Sequence, residues 1–192
     1  MKHTVTTKAG EGKVNEDASR VVRISDDMVL AVVCDGMGGL ECGDIAASTA
    51  ANTIAGMADN GSAEDPASLI QRAVKAADKA IETESVRIGA KMGCAVAVVV
   101  VSSGSLHWAT LGNVRVSLTL LNGETLLLSK DDVYTDKSGG TFLTRSLRGR
   151  GLIEDPIVQS RDIEPGSIVA VSTDGYYLND PMDDSTLVEL FV

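Results

Sequence analysis

Two rhythms of apolar and polar positions divide this chain. Short runs rich in Val and Leu occur at 28–34 (MVLAVVC), 94–101 (CAVAVVVV), 105–111 (SLHWATL), 114–121 (VRVSLTLL), 125–128 (TLLL), 167–172 (SIVAVS) and 186–192 (TLVELFV). Bounded by Gly, Asn, Asp or Ser, they predict strands. SSG at 102–104 and Asn122-Gly123 are hairpin signals, so much of the sheet should be antiparallel. Between the first two strands the period changes to that of a helix, over about 40–58 and 66–86. In the second helix Leu69, Ile70, Ala73, Val74, Ala77, Ala80 and Ile81 take one side, and Arg72, Lys75, Asp78, Lys79 and Glu82 the other. The intervening DNGSAEDP holds a helix stop, a turn and a proline start. A helical pair inserted into a mainly antiparallel β chain predicts an α+β layered fold, with the run at 96–101 buried on both faces. Residues 129–166 are polar and poorly periodic, and predict a surface excursion near the sheet's edge.

With 192 residues, 44% of them apolar, the chain suits one domain spanning 1–192 with a full core. Its 17 basic and 27 acidic residues leave a net charge of −10, which argues against nucleic acid as a partner. Cys34, Cys42 and Cys94 form neither a CxxC pair nor an even set, so a reducing cytoplasm is the simplest setting. No leader-like apolar segment and no membrane-length apolar run are present, so no membrane association is expected; the sequence sets no oligomeric state.

The chemistry gathers at strand ends. The run at 28–34 ends in Asp35-Gly36, and the run at 167–172 leads into Asp174-Gly175. Either pair alone is a common turn. Two further clusters, Glu16 and Asp17 in VNEDAS and Asp183 and Asp184 in DDST, also precede strands. Like charges gathered at one sheet end repel unless cations neutralise them. Carboxylates and a carbonyl freed by a glycine turn suit Mg²⁺ or Mn²⁺; zinc would call on histidines, and only His3 and His107 exist. A dinucleotide fingerprint at Gly36, Gly38 and Gly39 fails, because GMGGLE lacks the third spaced glycine and Asp35, Glu41 and Asp44 would repel a pyrophosphate.

The order NEDA (15–18), DGMGG (35–39), MG-x-A (92–95), LGNVRV (111–116), STDG (172–175) and DDST (183–186) resembles the metal-dependent serine/threonine protein phosphatases of the 2C type, in their compact bacterial or archaeal form. The resemblance implies an antiparallel β-sandwich flanked by helices, in four layers α-β-β-α, with two Mg²⁺ or Mn²⁺ ions at one end. It implies that Asp35 bridges the ions and the Gly36 carbonyl binds one. Asp174 and Asp183 would complete the other, and Glu16 would act through water with Asp17 supporting it. Asp184 stays open as the alternative to Asp183. Asp35 and Asp174 would then be catalytic: hydroxide between the ions attacks phosphorus in line, releasing phosphate from phosphoserine or phosphothreonine in a signalling protein. The sequence leaves two other readings open, a phosphatase-like binding or regulatory module and a β protein with calcium-stabilised loops.

Departures from the family's pattern matter as much. An arginine expected shortly before NED is missing, and Lys13 is the nearest cation; it would bring charge to the substrate phosphate without a bidentate fork, or else be a solvated surface group. Asn113 stands in place of an aspartate, which puts a third metal site in doubt. Only YYLNDPM separates Asp174-Gly175 from Asp183, and Met37 replaces a histidine of animal relatives. Residues 132–151 occupy the place of a flap and carry Arg145, Arg148 and Arg150.

Overall fold

The computed structural model describes residues 1–37, 42–59 and 65–192. In chain order the elements are β1 (Lys2–Lys8), β2 (Asp17–Arg23), β3 (Met28–Gly36), α1 (Gly43–Asp59), α2 (Pro66–Ile88), β4 (Cys94–Ser102), β5 (Ser105–Leu111) and β6 (Arg115–Thr119). There follow β7 (Thr125–Leu127), β8 (Val133–Thr135), β9 (Thr141–Leu143), β10 (Gln159–Asp162), β11 (Ile168–Ser172), α3 (Asp174–Tyr177) and β12 (Ser185–Phe191). Every strand pairing is antiparallel, as the hairpin signals predict. One sheet runs β1-β12-β11-β6-β7, a second β10-β5-β4-β3-β2, and β8 and β9 form a separate hairpin.

The two sheets face each other across Ala31, Val33, Val99, Trp108, Val116, Val171 and Val188. The alternate residues of β3 and β4, Leu30, Val32, Cys34, Val96 and Val98, turn instead to the buried stripe of α1 and α2. That double burial explains the unbroken apolar runs of β3 and β4, whereas β6, β11 and β12 alternate buried with part-exposed positions. Helices α1 and α2 make one outer layer. On the other sheet the described residues carry only the short α3, packed against β12, so the second helical layer of the expected four is reduced to one turn. The chain between Asp174 and Asp183 is too short to build more.

Helix α2 begins where expected: Asp65 accepts from the Ser68 N–H at 3.0 Å with Pro66 in the first turn, and Gly89 ends it at φ 76°. The expected start of the first helix at 40–41, the glycines Gly38 and Gly39, Glu41, and residues 60–64 of the loop lie outside the described residues. Residues 129–166 are more than a surface excursion. They contain three strands, and Leu147 within them is fully buried and exchanges both backbone hydrogen bonds with Cys94 at 3.0 Å. No helix among the described residues is long and apolar enough to cross a membrane.

Candidate metal centre

Strand register alone brings the first two carboxylates together. Asp17 at the start of β2 lies directly opposite Asp35 near the end of β3. The Gly36 N–H donates to the Glu16 carbonyl at 3.1 Å, which fixes the NED turn against the strand end. A side chain at Gly36 has nowhere to go, since a Cβ would lie 2.5 Å from the Gly43 carbonyl and 2.7 Å from that of Glu16. Glycine here lets the start of α1 close onto the acidic end of the sheet, and the Glu16 carboxylate lies against Gly43.

From the other sheet come Asp174, opening α3, and Asp183, before β12. Asp174 accepts from Asn113 Nδ2 at 2.7 Å and from the Gly175 N–H at 3.1 Å. Asn113 is held in turn by Tyr177, whose hydroxyl donates to the Asn113 carbonyl at 3.0 Å. The Arg115 guanidinium caps the Tyr177 ring at 3.7 Å and forks onto Asp131 at 3.1 and 2.7 Å. Burial pushes the Tyr177 hydroxyl's pKa up, so it remains a donor.

Asp183 and Asp184 take different parts. Asp184 is buried, and its two oxygens accept from the N–H groups of Gly10 at 2.8 Å and Glu16 at 2.7 Å. Among the described residues Asp183 accepts only from the Asp184 N–H, at 3.0 Å, and it feels Asp174. Thr173 ties the two sides together: its hydroxyl donates to Asp17 Oδ2 at 2.9 Å and accepts from the Thr186 N–H at 2.9 Å. Asp17 Oδ1 is buried with no partner.

The electrostatics follow from this crowding. Burial, then its acidic neighbours, raises Asp17 from 3.8 to about 6. Burial followed by Asp17 and Asp174 holds Asp35 well above the carboxylate range. Glu16 and Asp183 are raised too, chiefly by burial; Lys13 opposes the rise in both, so its charge reaches the cluster. As placed, no three of the described acidic, His or Cys side chains close on one point; they stand as neighbouring pairs.

Those donors fit hard divalent cations. All are oxygens, one is a buried oxygen without a partner, and the mutual repulsion is of the kind a cation reverses. Softer donors point elsewhere: Cys34 and Cys94 face the helices, His3 lies on exposed β1, and His107 sits mid-strand in β5. Thr173, Tyr177, Arg115 and Asp131 were not singled out by sequence reasoning. Only Thr173 carries a local signal, its place as N-cap before Asp174.

A family model described as Protein phosphatase 2C matches residues 6–192. Among solved structures, the Mycobacterium tuberculosis serine/threonine phosphatase PstP/Ppp is similar with a TM-score of 0.81 at 19% identity, over 98% of this chain and 97% of that one. The PstP catalytic domain in complex with 2 manganese ions gives 0.80 at 20%, over 98% and 96%. Serine/threonine phosphatase Stp1 from Staphylococcus aureus gives 0.86 at 13%, over 100% and 94%. At such identities the likeness is one of fold. Comparison with curated proteins gave no significant match.

Proposed function

The chain belongs to the protein phosphatase 2C family, and from that membership we propose how its residues divide the work. It is a metal-dependent protein serine/threonine phosphatase, a hydrolase that uses Mg²⁺ or Mn²⁺ and acts on phosphoproteins. Two cations bound at the acid cluster would supply a nucleophilic water at neutral pH and draw charge from the phosphoryl oxygens. Asp35 and the Gly36 carbonyl would hold one ion, with Glu16 acting through water. Asp35, Asp174 and Asp183 would hold the second. The two N–H groups that Asp184 accepts favour Asp183 as the ligand. Asp17, oriented by Thr173, keeps its unpartnered oxygen for the site. Asn113 occupies one Asp174 oxygen, which weighs against a third ion there.

The observation that carries this reading is the gathering of Asp17, Asp35, Asp174 and Asp183 at the same end of the two sheets, where burial and neighbouring acids raise the pKa values of Asp17, Asp35 and Asp183. A module released from catalysis has no physical reason to keep that repulsion. Lys13, the cation whose charge reaches Glu16 and Asp183, is the candidate to receive the substrate phosphate. We further assign residues 1–192 to one catalytic domain acting in cytoplasmic signalling, a setting that three free cysteines suit, with neither nucleic acid nor membrane as partner. The test is hydrolysis of a phosphothreonine peptide with chelator, Mg²⁺, Mn²⁺ or Ca²⁺, with Asp35→Asn as blank. Turnover that needs Mg²⁺ or Mn²⁺ and vanishes in the variant is expected; turnover in chelator would overturn the assignment.

A further inference from the structure

Next to the acid cluster the charge reverses. The segment after β9 walls a cavity of about 430 Å³ with Arg145, Arg148 and Arg150 on its rim and Leu111 and Leu143 among its apolar residues; among the described residues Glu154 is the one acid lining it. Three cations against one anion stand out on a protein of net charge −10. Arg145 also lines a smaller cavity of about 170 Å³. Its ion pair with Asp132 is loose, at 3.7 Å, and its Nη2 is buried with no partner. A buried guanidinium donor left unpaired costs about 1–3 kcal/mol, so its persistence asks for an anion.

The arginines stand on a fixed support. Asp78, buried on α2, accepts from the N–H groups of Arg148 at 3.0 Å, Gly149 at 2.8 Å and Gly151 at 2.9 Å. Arg150 makes no ion pair with a described residue, so its charge is available. The cavity also neighbours the reaction centre. Leu147, between Arg145 and Arg148, pairs with Cys94, and the adjoining Gly93 carbonyl accepts from the N–H of Met37 at 3.1 Å, one residue beyond Gly36.

We propose that this cavity docks acidic side chains of the phosphoprotein substrate, carboxylates a few residues along the chain from the phosphorylated serine or threonine. Planar guanidinium forks match carboxylates, and Leu111 and Leu143 receive the methylene stem of a glutamate. The inference rests on the phosphatase reading and narrows its substrate class to acid-flanked sites.

The experiment compares phosphothreonine peptides with acidic and neutral flanks in Mn²⁺, each kcat/KM normalised to the rate on p-nitrophenyl phosphate, which has no flank. In parallel, the unphosphorylated acidic peptide is titrated calorimetrically. The wild type should favour the acidic peptide by about tenfold, the size of two or three partly screened ion pairs. Arg145→Gln combined with Arg150→Gln should treat both peptides alike and lose the calorimetric binding. Should that variant melt below the assay temperature, Arg150→Glu, at an exposed position, reads the same preference. Equal kcat/KM values in the wild type, or a preference surviving the substitutions, overturns the docking site. If the wild type hydrolyses neither ester, the phosphatase reading is what falls. The titration then decides alone: arginine-dependent binding keeps the site, and absence of binding removes it.

Discussion

Replacing Asp35 by asparagine should make the metal-free protein more stable while abolishing its function. Asp35 stands opposite Asp17 across β2 and β3, and cross-strand partners hold their side chains about 5 Å apart. Two full charges at that separation repel by roughly 3 kcal/mol at an effective dielectric near 20. The structure relieves this by protonation, since burial and the neighbouring acids hold the Asp35 carboxyl well above its usual value. An acid raised in the folded state takes up a proton on folding wherever the unfolded chain is ionised. Its contribution is therefore fully present below the ordinary carboxylate pKa near 4 and is lost as the pH climbs through the folded value. At pH 7 the loss is capped at roughly 4 kcal/mol, the free energy of protonating an ordinary aspartate there. An amide has the same shape without the charge. With chelator at pH 7, Asp35→Asn should melt about 4–8 °C above the wild type, for a relief of roughly 2 kcal/mol. The gap should shrink toward pH 4 and reverse in Mn²⁺, which only the wild type binds well. Calorimetric melts at both pH values, with chelator and with Mn²⁺, measure all three effects. A variant that melts at or below the wild type in chelator at pH 7 would refute the idea that the cluster stores repulsion.

Other substitutions separate the roles of adjacent residues. Asp183→Asn should weaken Mn²⁺ binding about tenfold or more in a calorimetric titration and leave the metal-free melt nearly unchanged. Asp184→Asn should instead lower that melt, because an amide offers one acceptor oxygen to the two N–H groups of Gly10 and Glu16 and leaves one of them facing its own NH2, at a cost of about 1–3 kcal/mol. Asp78→Ala strands three backbone N–H groups and should cost about 2–4 kcal/mol, with amide exchange at 148–151 rising well before that of β4. Gly36→Ala must displace the start of α1 or the NED turn, so denaturant melts should show a loss of about 2 kcal/mol or more together with the loss of metal binding.

What the sequence discloses follows burial. Strand β4 is sealed on both faces, so its valine run marks it to within a residue. Strand β1 reads KHTVTTK and is exposed at every position; its pairing with β12 comes from backbone bonds that no side-chain period records. Strand β10, an edge of the other sheet, is exposed throughout and hidden for the same reason, whereas the opposite edge, β2, is half-buried at most positions and carries no clean alternation. The acids of the site were legible because unpaired charge at strand ends needs an explanation. The sequence prefers Asp183 to Asp184 by resemblance alone; that Asp184 meets the N–H groups of Gly10 and Glu16, residues far away in sequence, is something only the folded chain displays. Arg115, Asp131 and Tyr177 likewise assemble only when β6 and α3 meet in space.

The bonds of Asp184 also bear on the order of folding. They join residues 174 and 168 positions apart, so closing them requires nearly the whole chain to be in place. Contacts of such span are among the slowest to form, whereas β3, β4 and β5 are hairpin-linked or bridged by one helical pair. The valine interior can therefore condense while the acidic end still gapes. A nascent or clipped chain would be folded in its middle and inert at its mouth. The acidic end thus closes only when the segments around Gly10 and Asp184 meet.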